Sequence, residues 1–282
     1  MFFDRLPGSG YVCAHRGARA LAPENTMMAA ELGLALGADY WETDVHKIAD
    51  GSLVIFHDDV LSRTTDVRDH DEFAARAPWI TSGFSFEELR RLDAGAWFAE
   101  QDPFGTIASG EVSPVDVDRM RGQRIPSLRA VLEFTRRHDF PLNIEIKDQT
   151  QSPGDLSIVG DVLEMVRSTG VEDLVLVSSF NHDYLAEMRR LAPEIPIAVL
   201  VEGAHPANLV QYLHDLGAET YHPDHALVDA GLVRELTAAG IRVAPWTVND
   251  MDRAMALIDA GCFGIITDFV HSLRKRLVHR QK

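Results

Sequence analysis

The sequence predicts an α/β fold, a (β/α)8 TIM barrel with a small insertion after the second strand, and three observations carry that prediction. A helix ending at glycine, followed a few residues later by an apolar strand, recurs at Gly37, Gly170, Gly217, Gly240 and Gly261. Glycine past a helix end tolerates the left-handed backbone that stops the helix, and this alternation is the rhythm of parallel βα units. Eight parallel strands can be counted in 282 residues, a number that suits a closed barrel. No G-x-G-x-x-G turn follows the first strand. An open doubly wound sheet, the alternative architecture, would more often show one.

The elements follow from short apolar runs alternating with amphipathic ones. Tyr11–His15 reads as a strand, Glu24–Leu36 as a helix ended by Gly37, and Tyr40–Val45 as the second strand. Ser127–His138 is helical, with Leu128, Val131, Leu132 and Phe134 on or near one face. Leu142–Ile146 is a strand, Ile158–Arg167 a helix and Leu174–Ser179 a strand. Asn181 is a good N-cap for a helix to Leu191, before a strand at Ile197–Val201 and a helix at Asn208–Leu216. A short strand near Thr220–His222, a helix at Leu227–Ala239 and a strand at Arg242–Val248 come next. A helix at Met251–Ala260, a strand at Gly264–Thr267 and a basic helix at His271–Lys282 close the chain.

Between His57 and Ser127 the rhythm stops. The segment carries Pro78, Gly83, Gly95, Pro103, Gly105, Gly110 and Pro114, with one helix-like piece at Phe86–Leu92. It is too long for a plain loop. One domain spanning 1–282, with a subdomain at about 58–126 over the barrel mouth, is the economical reading. Asp50-Gly51 before Ser52–Phe56 is a hairpin signal, so the strand leading to His57 marks the start of the insertion.

Composition narrows the function. No run of about 18 apolar residues is present, so no membrane-spanning helix is expected. The stretch Met1–Gly10 lacks the long apolar run of a secretory signal. Two cysteines, Cys13 and Cys262, make no disulfide framework; reduced thiols in a cytoplasmic protein are expected. A net charge of −16 argues against a nucleic-acid binder.

The chemistry concentrates in residues 13–58, which read C-A-H-R-G, P-E-N-T, E-T-D-V and D-G-S-L-V-I-F-H-D. Glu42 and Asp44 alternate on one strand and so share a face; Glu145 and Lys147 repeat this on another. Buried carboxylates must be paired or metal-bound. Three carboxylates without a cysteine ligand suit a hard cation, Mg²⁺ or Ca²⁺; a set of salt bridges, for example Glu145 with Arg16, is the plainer alternative. His15 and His57 end apolar strands and suit proton transfer, although a lone histidine is more often structural. His70, His138, His271 and His279 sit in polar contexts and read as solvated. With Arg16, these histidines and carboxylates make nearly a complete kit for metal-assisted cleavage of a phosphate ester, and an acidic chain acting on such an anion needs a local positive site. A cation with Arg16 and Lys147 would supply it.

In order, H-R-G, P-E-N-T, E-x-D-V, D-G-x-x-V-x-x-H-D, E-x-K, S-S-F-N, W-T-V-N and G-I-I-T-D resemble the glycerophosphodiester phosphodiesterase family from residue 13 to about 270. The resemblance implies a barrel with an insertion after its second strand. It also implies a divalent cation used to split glycerophosphodiesters, small-molecule substrates, into glycerol 3-phosphate and an alcohol. By motif, His15 and His57 resemble the acid/base pair, Glu42, Asp44 and Glu145 the metal ligands, and Arg16 and Lys147 the phosphate contacts. Trp246 is expected to pack against substrate. Glu24 either supports Arg16 or His15 or sits in the first turn of a helix, where its charge is favoured. Asn249 reads as an N-cap more than a ligand, and Asp268 is ambiguous. Ile48 stands where the pattern usually has threonine and is expected to affect only the hairpin. The stretch Asp102–Arg124 is longer than many members need, which leaves substrate range open.

Two rival functions stand beside this one. A lysophospholipase D would use an apolar rim, with Phe84, Phe86, Trp97, Phe98 and Phe104 as candidates, though such aromatics are more often core. A non-catalytic phosphoester-binding scaffold would not need the buried charges. The basic tail, Arg274–Lys282, is either a solvated helix face or a contact with another subunit in a homo-oligomer.

Overall fold

The computed structural model describes residues 1–150 and 155–280. β1 (Tyr11–Ala14) and β2 (Tyr40–Lys47) open the sheet, and β3 (Leu53–Ile55) folds back antiparallel on β2. β4 (Leu142–Ile146), β5 (Val175–Ser179), β6 (Ile197–Val201), β7 (Thr220–Pro223), β8 (Arg242–Val243) and β9 (Gly264–Thr267) complete it. The order is β8-β7-β6-β5-β4-β2-β1-β9, and every neighbouring pair on this path is parallel. The ends meet: Phe263 N–H donates to Val243 O at 2.8 Å, Ile266 N–H to Pro245 O at 3.1 Å, and Val248 N–H to Ile266 O at 2.9 Å. The fold is the expected (β/α)8 TIM barrel. The strand expected over Arg242–Val248 is regular for two residues only, because Pro245 has no N–H to give a ladder.

Side-chain alternation divides the wall. Trp41, Val45, Ile144, Ile146, Val175 and Val177 face outward and are buried under the helices. Cys13, Tyr40, Leu176, Ala198, Ala244 and Ile266 face inward and form a second core with Phe2, Leu6 and Phe263. Helix α1 (Phe2–Arg5), which periodicity did not reveal, carries Phe2 into this core, where its ring meets Tyr40 edge-on at 5.9 Å. Gly264 is needed there: a Cβ would lie 2.5 Å from the Tyr40 hydroxyl. Cys13 and Cys262 are buried and free.

Helix α2 (Met27–Ala35) starts three residues later than expected, because Asn25 holds a left-handed φ of 58° and Thr26 caps the helix by accepting from Ala29 N–H. Glu24 is therefore in the preceding loop, and the first-turn reading of it is wrong. Between β3 and β4 lie α3 (Phe86–Leu89), α4 (Ala96–Gln101) and α5 (Pro114–Met120), with 3₁₀ turns at Leu61–Arg63, Val67–Asp69, Asp71–Arg76 and Thr81–Gly83. Only the first of the three helices was legible; α5 falls in the long stretch 102–124, with Ser113 as cap and Pro114 at the first turn. Phe84, Leu89 and Leu92 bury with Ile48, whose side chain thus serves this small core and not the hairpin alone. Trp97 and Phe98 bury against Leu21 and Met28 of the barrel.

The chain continues through α6 (Leu128–His138), α7 (Ser157–Thr169), α8 (His182–Leu191), α9 (Leu209–Leu216), α10 (Ala230–Ala238), α11 (Met251–Asp259) and α12 (Val270–Arg280). Asn181 caps α8 as expected. Leu227 belongs to a 3₁₀ turn, and Asp229 caps α10. Gln281 and Lys282, at the end of the expected last helix, lie outside the described residues. Arg274 and Arg280 of α12 pair with Asp39 and Asp259 of the same chain, both at 2.5 Å. His70 and His271 are half-buried, not solvated, and His271 Nε2 lies 2.9 Å from Glu111. Among the described residues, no helix is long and apolar enough to cross a membrane.

Candidate active site

The C-terminal ends of β1, β2, β4 and β9 deliver charge to one place. β2 and β4 run in register, Glu42 beside Asn143 and Asp44 beside Glu145. This brings one oxygen from each of Glu42, Asp44 and Glu145 within 4.8 Å of the others. All three carboxylates are buried. Burial, Asp44 and Glu145 push the Glu42 carboxyl well up. Burial works against the charge of Asp44 as well, but Lys147, His57 and Arg16 outweigh it and hold that carboxyl low.

Two oxygens of the triad, Glu42 Oε1 and Asp44 Oδ1, are buried and accept no hydrogen bond from the described residues, with Lys147 Nζ standing 3.4 Å from Asp44 Oδ1. Their partners elsewhere are assigned: Glu42 Oε2 accepts from Arg16 N–H at 2.9 Å, and Asp44 Oδ2 from Asn25 Nδ2 at 2.8 Å. An acceptor-only set of mutually repelling oxygens fits a divalent cation. The salt-bridge alternative is partly realised in a different pairing: Lys147 Nζ lies 2.7 Å from Glu145 and 3.4 Å from Asp44, whereas Arg16 pairs with Glu24 and Asp44.

Arg16 sits in the turn after β1 with φ 53°, a conformation uncommon for a side-chain-bearing residue. The next residue must be glycine. Gly17 has φ 85°, and a Cβ would come 2.5 Å from the Ala29 carbonyl carbon. The motif P-E-N-T divides its labour. Glu24 binds arginines, Asn25 bridges Thr43 and Asp44, and Thr26 caps α2.

Each candidate histidine carries a carboxylate on the same ring atom. His15 Nδ1 lies 2.7 Å from Asp268 Oδ1, and His57 Nδ1 lies 2.6 Å from Asp58 Oδ1. A carboxylate only accepts, so both rings hold a proton on Nδ1, which leaves Nε2 as the atom through which each can take up or give a proton. Burial, then Arg16, push the His15 imidazole down. Asp268 and Asp58 stay ionised: burial opposes their charge, but His15 with Arg19, and His57 with Arg63, hold the two carboxyls low.

Several of these partners escaped the sequence reading. Asn249 is not an N-cap. Asp250 caps α11 by accepting from Arg253 N–H at 2.7 Å, while Asn249 Nδ2 donates to Asp268 Oδ2 at 2.7 Å. Arg19, Asn25 and Arg63 gave no signal beyond lying near the H-R-G, P-E-N-T and H-D motifs. Trp246 donates from Nε1 to His222 O at 2.7 Å and meets the Phe180 ring edge-on at 5.4 Å. Of the insertion aromatics, Phe84, Trp97 and Phe98 are buried, and Phe104 packs on Phe98 and Phe269.

Three comparisons bear on this geometry. The sequence model of the glycerophosphoryl diester phosphodiesterase family matches residues 15–272. A glycerophosphodiester phosphodiesterase of Bacillus altitudinis is 35% identical over 265 residues, covering 92% of this chain and 94% of that protein. One from Caldanaerobacter subterraneus is 33% identical over 261 residues, covering 91% and 93%. Among solved structures, an Oleispira antarctica phosphodiesterase in complex with its product sn-glycerol-3-phosphate superposes with a TM-score of 0.81 at 28% identity, covering 98% of both chains.

Proposed function

The chain belongs to the glycerophosphoryl diester phosphodiesterase family, a family of hydrolases, and from that premise we propose that it cleaves glycerophosphodiesters to sn-glycerol 3-phosphate and an alcohol, with a divalent cation, Mg²⁺ or Ca²⁺, held by Glu42, Asp44 and Glu145 and with His15 and His57 moving the protons. The observation that carries this reading is the pairing of two buried carboxylate oxygens that accept no hydrogen bond from the described residues with two histidines of matched Nδ1 support.

The cation, when bound, supplies positive charge to the nonbridging phosphate oxygens as negative charge grows on them. Arg16, fixed by Glu24, and Lys147, fixed by Glu145, add to that field. One histidine accepts the proton of the attacking hydroxyl through Nε2. The other, entering the step as an imidazolium, donates its Nε2 proton to the oxygen of the departing alcohol as the P–O bond breaks. Each role is typically worth ~10²–10⁴-fold in rate. The attacker is water or the neighbouring glycerol hydroxyl, the latter through a cyclic phosphate. Trp246, beside Phe180, offers an apolar wall to the substrate.

Residues 58–126 act in this reading as a subdomain that shapes the mouth. The lysophospholipid alternative draws less support, because its candidate rim aromatics are mostly buried. Free buried thiols suit a reducing compartment, and we assign the chain to the cytoplasm on that ground.

The test is release of glycerol 3-phosphate from glycerophosphocholine and glycerophosphoethanolamine with Mg²⁺, with Ca²⁺ and with chelator. Release that needs metal and is lost in His15→Ala and His57→Ala is expected. Metal-independent release would remove the cation from the reading, and near-normal rates in both variants would remove the histidines.

A further inference from the structure

Arg63 lies in the insertion, on the 3₁₀ turn after His57, and no step above uses it. Its guanidinium spans two carboxylates. Nε donates to Asp58 Oδ2 at 2.5 Å, and Nη2 donates to Glu24 Oε1 at 2.6 Å while Nη1 reaches Glu24 Oε2 at 3.1 Å. Asp58 is the carboxylate on His57. Glu24, with a side chain only 3% exposed, also accepts from Arg19 Nε at 2.8 Å. Arg19 Nη1 in turn approaches both oxygens of Asp268 at 3.3 Å, and Asp268 is the carboxylate on His15. Read in order, His57, Asp58, Arg63, Glu24, Arg19, Asp268 and His15 form one unbroken path of charged hydrogen bonds. It joins the two candidate proton carriers without passing through the acidic triad.

The path is fixed from outside the barrel. Trp97 of the insertion lies under the Arg63 guanidinium at 6.0 Å from the ring centre, and Phe104 lies under Arg19 at 5.4 Å. Thr106 donates to Ala20 O at 2.6 Å, and Ala20 N–H donates to Asp268 O at 3.2 Å. Both arginines of the path thus rest on the same segment. Their charges are matched within it: Arg19 and Arg63 face Asp58, Glu24 and Asp268, with Arg16 as the third cation on Glu24. An arginine bound on two sides by carboxylates has few donors left for a phosphate, so substrate binding is a poor account of Arg63. Geometry is the better one, since a planar fork bound bidentately resists rotation.

We infer that Arg63 is a positioning residue through which the insertion sets the orientation of both histidine–carboxylate pairs at once, His57 through Asp58 and His15 through Glu24, Arg19 and Asp268. The inference rests on the proposed acid/base roles of the two histidines. It gives the insertion a task in the chemistry besides shaping the mouth. Small displacements of a proton carrier cost much rate, so the effect falls on turnover and spares substrate affinity.

The experiment compares wild type, Arg63→Met and Arg63→Lys. It measures kcat and KM on glycerophosphoethanolamine, Mg²⁺ affinity by calorimetry, and the two Nδ1–H proton resonances of His15 and His57 by NMR. In Arg63→Met, kcat is expected to fall ~10²-fold with KM and Mg²⁺ affinity unchanged and with both resonances displaced. Arg63→Lys keeps the charge but cannot span Asp58 and Glu24, so it should resemble Arg63→Met; it also serves as the folded comparison if the methionine variant unfolds. Wild-type turnover in the folded variants, or displacement of the His57 resonance alone, overturns the inference. Inactive His15→Ala and His57→Ala beside a fully active Arg63→Met would remove only this inference; active histidine variants would remove the reading beneath it.

Discussion

His15 and Asp268 are 253 residues apart in sequence, yet Nδ1 of one lies 2.7 Å from Oδ1 of the other. Closure of the barrel makes this contact, because β1 and β9 are hydrogen-bonded neighbours, with Ala14 beside Thr267. Asn249 holds the second oxygen of Asp268. The result is an imidazole whose tautomer and direction are both set before substrate arrives.

Asp268→Asn removes the acceptor that requires a proton on Nδ1. The amide can instead donate to the ring and favour the other tautomer. Turnover should drop roughly 10²-fold or more, with secondary structure by circular dichroism unchanged. An unaltered kcat would show that the ring needs no such support.

Glu42→Gln should have opposite effects with and without metal. In metal-free protein it relieves repulsion from buried Asp44 and Glu145, so the melting temperature should rise. With saturating Mg²⁺ it removes one of the proposed ligands, so the metal-induced stabilisation, about 2.7 kcal/mol at a hundredfold excess over Kd, should shrink. Thermal melts with and without chelator check both signs.

His222 predicts an acid-sensitive core. It is fully buried on β7, and burial alone pushes its imidazole down to about 3. Between that value and the ordinary one near 6.5, the unfolded chain binds a proton that the folded chain refuses. Stability therefore rises with pH across this window and falls as the solution is acidified through it. In His222→Gln the slope of unfolding free energy against pH, measured with urea from pH 7 to pH 4, should be shallower by up to one proton. An identical slope would mean that His222 is protonated in the fold.

Gly17→Ala tests the turn that aims Arg16. The added Cβ meets the Ala29 backbone at 2.5 Å, and the position has a left-handed φ. The loss of stability should be at least ~1–3 kcal/mol, read from urea denaturation. A loss below that range would mean that the turn can shift at little cost.

Much of the barrel was legible because its signals are local. Period-two alternation puts Glu42 and Asp44 on one face, and glycines past helix ends mark the βα units. Beyond the helix at Phe86, the insertion was legible only as an interruption: its short helices and 3₁₀ turns have too few residues for a period to show, and the cluster around Trp97 and Phe98 is shared with Leu21 and Met28. Glu24 was misplaced by propensity, since an acidic residue before a helical run looks like a first turn until the φ of Asn25 excludes it.

The sequence by itself determined the order of the barrel's strands and the helices between them and the carboxylates and histidines at strand ends, because each depends on neighbours a few positions away. Only the tertiary structure decided who holds them. Asp268 on His15, Asn249 on Asp268, Arg63 on Glu24 and the Phe2 plug beneath Tyr40 join segments that meet when the sheet closes and the insertion folds back. Such contacts leave no period in the chain, because their spacing is fixed by the path of the backbone through space.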